Sequence, residues 1–300
     1  MSLEDPAERE AFLFDNLNIP QVIHYLAITV LGPNHDRLQH NYYVHRDTGN
    51  TDEWSFLPWD LDRWFPQGSQ LSNATMRSIF YGDSDHERAD SGIRNQYNRL
   101  NDAIFDVPRT REMYVHHVRK VIDELTLNST FFEDSIDEFA ALIELDADLD
   151  NRKWRLGRLS TGVSALKSTI RTRRRQLDRD SNIPPADESA PQLAFGAIEP
   201  GQYIEIVNQR EAAINISGWE LRSAVEFTFK HGTVIPGTSH APNNVIYVSP
   251  NVRAFRQRTM SPKGGEGHFV QGDYVGDLAP SGATVELVDS NQRVIAEFTR

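Results

Sequence analysis

Three polar side chains, Asp36, Asn41 and Asp60, have the types and the order that phosphoryl transfer requires. Asp36 and Asn41 follow the spacing Asp-x-x-x-x-Asn, which puts a carboxylate in a loop and an amide at the start of the next segment. In phosphoryl-transfer enzymes an aspartate accepts the proton of the attacking hydroxyl group, and an asparagine oxygen helps to hold a metal ion. Mg²⁺ prefers such oxygen ligands and shares them with nucleotide phosphates. Asp60 would supply a second metal ligand, and Asp62 is a further candidate.

The spacing alone has a simpler interpretation that involves no chemistry. Asp36 could be a turn residue that ends a helix, Asn41 the edge of a strand, and Asp60 a cap for the next element. A loop Asp, a strand Asn, a hairpin and a closing Asp in that order form a more specific pattern. A metal-dependent phosphodiester-cleaving enzyme is another possibility, but it would need further ligands, and His35 and Asp62 are the only obvious ones.

A β-hairpin preceded by two helices must position these residues. Apolar residues at helical spacing predict helices over Pro6–Leu17 and Pro20–Leu31, and Gly32-Pro33 ends the second one. Strands are predicted over His40–Arg46 and Glu53–Pro58, joined by a turn at 47–50. The aromatic residues predicted to pack the hairpin are Tyr42, Tyr43, Trp54 and Trp59.

The remainder of the chain divides into a helical and a strand-rich part. Helical periodicity predicts helices over 108–125, 129–149 and 151–179. Residues 181–192 are rich in Pro, Ser and acid and are predicted to be a linker. Six or more short strands separated by turn residues follow and predict a β-sandwich. The expected fold class is therefore multidomain α+β, with a mostly helical domain over residues 1–180 and a sandwich over 193–300.

Composition excludes several function classes. The chain has no cysteine, so disulfides, thiolate metal sites and cysteine nucleophiles are absent. No run of about 18 apolar residues predicts a membrane span. The net charge of −12 argues against general binding of nucleic acid. The basic run Arg171–Arg179 is accordingly interpreted as the solvated end of a helix rather than a nucleic-acid site.

The histidines do not form a recognisable metal-binding pattern. Neighbouring histidines on a helix point in different directions, so at most one of such a pair faces any given site. The spacing therefore predicts ordinary structural residues at His24, His116, His117, His231, His240 and His268.

The segments HNYYVHRD at 40–47 and EWSFLPWDLDRWF at 53–65 resemble the signature of the CotH family, the atypical kinase-like spore coat H proteins. The resemblance covers about residues 10–180. It implies a kinase-like C-terminal lobe that uses ATP and Mg²⁺ to phosphorylate a protein substrate. By the same resemblance Asp36 would be the catalytic residue and Asn41 and Asp60 the metal ligands, with Asp62 the second acid of the pair.

The chain departs from the family pattern in its lysines. Kinase-like folds have an upstream lobe that covers the nucleotide and carries a phosphate-gripping lysine. Here all five lysines follow Asp60. This distribution leads us to expect a fragment that lacks the nucleotide-gripping lobe and is inactive alone, so no nucleotide-binding residue is assigned.

Residues 192–300 resemble a lamin-tail domain. The segments that carry this resemblance are Tyr203–Asn208, Ile216–Leu221 and Gly232–Gly237. It implies an immunoglobulin-like sandwich, found in bacteria attached to exported enzymes, and hence an extracellular or cell-surface protein with a surface or matrix ligand. The alternative is a non-catalytic scaffold in which a degenerate kinase-like lobe supports the sandwich.

Overall fold

The fold is α+β, with a helical part over residues 5–180 and a β part over 193–300. The computed structural model describes residues 5–32, 41–61, 64–65, 77–82, 98–127 and 129–300. The helices of the helical part are α1 (Pro6–Asn16), α2 (Ile19–Leu31), α3 (Arg99–Asp106), α4 (Pro108–Ile122), α5 (Phe131–Trp154) and α6 (Leu159–Asp178). A π-helical turn, Asp123–Leu127, follows α4. The hairpin consists of β1 (Tyr42–Arg46) and β2 (Trp54–Pro58).

Helix α2 is the central element of the helical part. Asn18 caps its start by accepting a hydrogen bond from the backbone N–H of Gln21, and Pro20 fits its first turn. Most of its residues are buried, including Val22, Ile23 and Ala27, each at 0% exposure. This burial stabilises α2 from several sides, because α4 and β2 both pack against it.

The end of α5 and the start of α6 differ from the positions that the sequence pattern predicted. Helix α5 continues to Trp154, so the predicted boundary near residue 150 is wrong. The chain turns at Arg155 and Gly157, whose φ angles are 57° and 98°, and α6 then begins at Leu159. The acidic residues before Trp154 are exposed helix residues, and Gly157 supplies the left-handed conformation that the turn needs.

The β part contains two sheets of four and five strands. The four-stranded sheet has the order β10-β9-β4-β3 and the five-stranded sheet the order β11-β7-β6-β12-β13. A short pair, β5-β8, lies beside them, and a short helix, α7 (Val252–Arg256), follows β9. The strands are β3 (Leu193–Glu199), β4 (Tyr203–Asn208), β5 (Ile214–Asn215), β6 (Glu220–Ser223), β7 (Val225–Thr228), β8 (Val234–Ile235), β9 (Val245–Val248), β10 (Val270–Gln271), β11 (Val275–Gly276), β12 (Thr284–Val288) and β13 (Val294–Thr299).

Both sheets contribute to one buried cluster that continues into the helical part. Ile204 and Ile246 of the four-stranded sheet and Leu221, Val285 and Leu287 of the five-stranded sheet are at most 1% exposed. Burial of apolar side chains contributes about 25 cal/mol per Å². A shared cluster of this kind therefore couples the stability of the two parts.

Polar contacts also join the β part to the helical part. Arg109 of α4 donates a hydrogen bond to the carbonyl oxygen of Gly267 over 2.9 Å. Arg256 of α7 pairs with Asp15 of α1 at 3.1 Å and with Glu53 at 2.7 Å. Asp15 also accepts the backbone N–H of Gly265 at 2.9 Å. The glycine-rich segment of the β part is thereby bound to α1.

None of the helices in the part of the chain that the structure describes is long and apolar enough to cross a membrane.

Candidate active site

The hairpin brings Asn41 and Asp60 to the same end of its two strands. Strands β1 and β2 are antiparallel, with Tyr42 opposite Pro58 and Arg46 opposite Trp54. The backbone N–H of Trp59 donates to the carbonyl oxygen of Asn41 over 2.9 Å, which extends the ladder by one residue. Asn41 and Asp60 therefore flank the open end of the hairpin.

Helix α2 holds the hairpin through the side chain of Gln21 and through the backbone N–H of its cap residue Asn18, which donates to the carbonyl oxygen of Trp54 over 2.9 Å. The Gln21 Oε1 atom accepts the backbone N–H of Phe56 at 2.8 Å, and Gln21 Nε2 donates to the carbonyl oxygen of Phe56. Phe56 is 2% exposed, and its ring stacks on Tyr25 with centroids 5.3 Å apart. Because β2 runs beside α2 from Trp54 onward, the open end of the hairpin lies toward the C-terminal end of α2.

The aromatic residues of the hairpin lie on two different faces. Tyr42 packs inward against Phe56, with ring centroids 5.1 Å apart. Tyr43 and Trp59 are more than half exposed and contact each other at 5.7 Å on the outer face. Trp54 is also exposed, beneath the guanidinium of Arg46. Only Tyr42 of the four therefore contributes to the core.

Asn41 and Asp60 both adopt left-handed backbone conformations. Their φ angles are 66° and 49°. Such conformations are uncommon outside glycine, although Asn and Asp tolerate them best, and they concentrate at functional sites. The backbone therefore turns sharply at both residues that the sequence pattern predicted to be metal ligands.

The segment after the hairpin returns to the end of α2. A Cβ atom on Gly32 would lie 2.1 Å from the carbonyl oxygen of Trp64, so only glycine permits this contact. The stretch that contains Asp36 thus begins at Gly32, beside Trp64, and ends at Asn41. Asp36, His35 and Asp62 themselves lie outside the described residues.

The donor set at the open end fits a hard cation. Asn41 offers an amide oxygen and Asp60 a carboxylate, and Mg²⁺ in nucleotide sites needs only one or two such protein ligands beside phosphates and water. No group of three or more His, Asp or Glu residues with metal-binding geometry occurs among the described residues. Phosphate and water oxygens would supply the remaining ligands of such a cation.

The helical part and its hairpin, with Asn41 and Asp60 at the open end, belong to the region of the chain that matches a known family of kinase-like proteins. The CotH kinase protein family matches residues 2–177. Because this match covers more than half of the 300 residues, the chain belongs to that family. No curated protein sequence is significantly similar to the chain.

Three histidines that are far apart in the sequence meet between the helical and β parts. The Nδ1 atom of His24 on α2 lies 2.9 Å from Nε2 of His117 on α4, and His231 of the β part stacks on His24 with centroids 5.2 Å apart. The amide of Asn215 lies 2.9 Å from His117 Nδ1. These residues are distant in sequence, so no local pattern could have shown the cluster.

Burial controls the protonation of this cluster. It lowers the pKa of His117 well below its ordinary value of 6.5, and the nearby His24, Lys120 and His231 act in the same direction. Burial also lowers the pKa of His24, where His231 adds to the effect and Glu124 opposes it. Both imidazoles are therefore neutral in the folded protein near neutral pH.

The free energy of unfolding is expected to fall as pH drops below 6.5. The unfolded chain binds protons on these histidines from about pH 6.5 downward, whereas the folded protein does not, so each contributes a slope of up to about 1.4 kcal/mol per pH unit. Urea unfolding at a series of pH values between 7 and 5 measures this slope. His117→Gln should reduce it, and the exposed control His45→Gln should leave it unchanged. Equal slopes in all three proteins would contradict the assignment.

Proposed function

We propose that the kinase-like domain transfers a phosphoryl group from ATP to a hydroxyl group of a protein substrate, with Mg²⁺ as the cofactor. The observation that carries this proposal is the convergence of Asn41 and Asp60 at the open end of the hairpin, in a chain of the CotH kinase family. A purely structural hairpin has little need of both side chains there, each in a left-handed conformation.

The reaction divides among a small number of residues. Asp36 accepts the proton of the attacking hydroxyl group. The oxygen of that hydroxyl group bonds to the γ-phosphorus of ATP, and the bond between the γ-phosphorus and the β,γ-bridging oxygen breaks, so that ADP leaves. Asn41 and Asp60 hold the cation, with Asp62 as the alternative or additional carboxylate. Mg²⁺, when bound, neutralises negative charge on the phosphate oxygens. The role of the protein is mainly to position the reactants and to stabilise charge electrostatically.

Labelled ATP tests the reaction directly. The natural protein, with any residues that precede Met1, is incubated with [γ-³²P]ATP, Mg²⁺ and a mixture of acceptor proteins. Covalent labelling of protein that EDTA abolishes is the expected result. Absence of both labelling and nucleotide binding would favour a non-catalytic scaffold, and metal-dependent cleavage of a phosphodiester substrate without labelling would favour a nuclease-like activity.

The β part is proposed to be a lamin-tail-like, immunoglobulin-like module that binds a surface or matrix ligand outside the cell. Its two sheets around a shared core and the three lamin-tail-like segments support this role. Sedimentation of the protein with insoluble cell-envelope material from the organism that produces it is the test. Retention in the pellet is expected. A protein that stays wholly in the soluble cell contents would contradict both the proposed binding to a surface or matrix ligand and the proposed place outside the cell.

A further inference from the structure

A cavity rich in arginine lies between α6 and the short segment at residues 77–82. Its volume is about 530 Å³. We call it the arginine pocket and define it by Arg77, Arg173, Arg175 and Arg179. The rest of its lining comes from one carboxylate, that of Asp180, and from the uncharged polar residues Ser78, Thr172, Gln176 and Asn182. The pocket includes most of the basic run that was interpreted from the sequence as a solvated helix end.

The pocket is built on a buried arginine. Arg173 is 2% exposed and donates from Nε and Nη2 to the carbonyl oxygen of Val30 over 3.0 and 2.6 Å. Its Nη1 atom donates to the carbonyl oxygen of Arg77 over 2.8 Å. One guanidinium thus ties α6 to the C-terminal end of α2 and to the segment that carries Arg77. This tie gives the pocket a fixed wall.

The exposed arginines of the pocket are available for a ligand. Arg175 and Arg179 lie one helical turn apart, and neither pairs with a carboxylate among the described residues. The carboxylate of Asp180 in the lining accepts the backbone N–H and the side-chain amide of Asn182 at 3.0 and 2.9 Å. Arg174, in contrast, faces away from the pocket and pairs with Glu133 at 3.0 Å. Arg175 also donates to the hydroxyl group of Thr172 over 3.2 Å, so the pocket presents a concave cluster of positive charge together with hydroxyl and amide groups.

We propose that the arginine pocket binds a phosphate monoester, namely the phosphorylated side chain of a polypeptide. The planar guanidinium fork matches phosphate oxygens in bidentate geometry, and hydroxyl and amide groups provide further donors. Nucleic acid is a poorer fit, since the net charge is −12 and a polyanion needs basic residues along an extended track. The site does not depend on phosphoryl transfer at the hairpin, although both lie toward the C-terminal end of α2.

Fluorescence anisotropy with a short phosphoserine peptide tests this site. The probe is a labelled Ala-Gly-pSer-Gly-Ala peptide, its unphosphorylated form is the first control, and inorganic phosphate is the competitor. The phosphopeptide should bind the wild-type protein at least about tenfold more tightly than the control, since each charge-assisted hydrogen bond contributes about 1.5–3 kcal/mol. Competition by inorganic phosphate would assign the affinity to the phosphate group itself.

A matched set of arginine variants locates the binding. Arg175→Ala with Arg179→Ala should weaken phosphopeptide binding by about tenfold or more, whereas Arg171→Ala, an exposed arginine of the same helix outside the pocket, should change it less than about twofold. Because these arginines are exposed, none of the substitutions should change the thermal unfolding temperature. Equal losses in both variants, no preference for the phosphopeptide, or tighter binding of single-stranded RNA through the same arginines would each overturn the proposal.

Discussion

Asp60→Asn is expected to lower phosphate transfer from ATP by about 100- to 1000-fold, the range seen when one electrostatic contact to the transition state is lost. The substitution keeps the size of the side chain but replaces one carboxylate oxygen with an amide NH₂ group, which removes the negative charge that a divalent cation needs. Asn also tolerates the left-handed backbone at this position, where φ is 49°. The loss of phosphate transfer would therefore result from the missing charge and not from a change in the fold. Initial rates of [γ-³²P] transfer at saturating Mg²⁺ measure it.

Asp52 provides a matched control on the same hairpin. It is an aspartate with a φ of 64°, and it lies in the turn at the opposite end from Asp60. Its ion pair with Arg46 is exposed and contributes little to stability. Asp52→Asn should leave the rate of transfer within about twofold of wild type. A rate for Asp60→Asn as high as that for Asp52→Asn would remove Asp60 from the site.

Arg109→Met is expected to lower the free energy of unfolding by on the order of 3 kcal/mol, because it breaks hydrogen bonds from a charged, buried group. Arg109 is 1% exposed, lies over the ring of Phe14 at 3.7 Å and donates to the carbonyl oxygen of Gly267. It also pairs with Glu10 at 3.3 Å, and burial lowers its pKa to about 10. Methionine fills similar space beside Phe14 but removes the cation–π contact, the pair with Glu10 and the hydrogen bond to Gly267 together.

Two measurements together test the role of Arg109. Urea unfolding gives the change in stability, and amide hydrogen exchange at Gly265 and Gly267 reports the segment that Arg109 and Asp15 hold. Faster exchange at both glycines is expected. Arg111→Met, two residues along the same helix and exposed, should lower stability by less than about 1 kcal/mol. Unchanged exchange in Arg109→Met would show that the tie does not hold the segment.

The local features of the candidate site could be predicted from the sequence. Alternating apolar residues and a turn between them defined the hairpin, and its strands begin and end within two residues of the predicted limits. The positions of Asn41 and Asp60 then follow from the register, since antiparallel pairing brings both flanks of a hairpin together. Pro20 and Gly32 likewise marked the ends of α2 closely.

Long-range contacts could not be predicted in the same way. His24 and His117 lie on two helices that contact each other, and His231, in a turn of the β part, joins them only when the β part packs on the helices. Arg173 looked like its neighbours in a basic run, and only the packing of α6 against α2 distinguishes it from the exposed Arg175. Strand β3 shows no regular alternation in the sequence because Gly196 interrupts it, yet β3 pairs with β4 across a bulge between Phe195 and Ile198.

Paramagnetic relaxation by Mn²⁺ can locate the cation and the nucleotide on the protein. With Mn²⁺ in place of Mg²⁺ and ADP present, the backbone amide signals of Asn41 and Trp59 should broaden. Those of Gly49 and Asn50 should broaden far less, since five strand residues separate the turn from the open end by about 17 Å. Asp60→Asn should abolish the difference. Equal broadening at both ends of the hairpin, or the same broadening in Asp60→Asn, would contradict a metal-nucleotide site formed by Asn41 and Asp60.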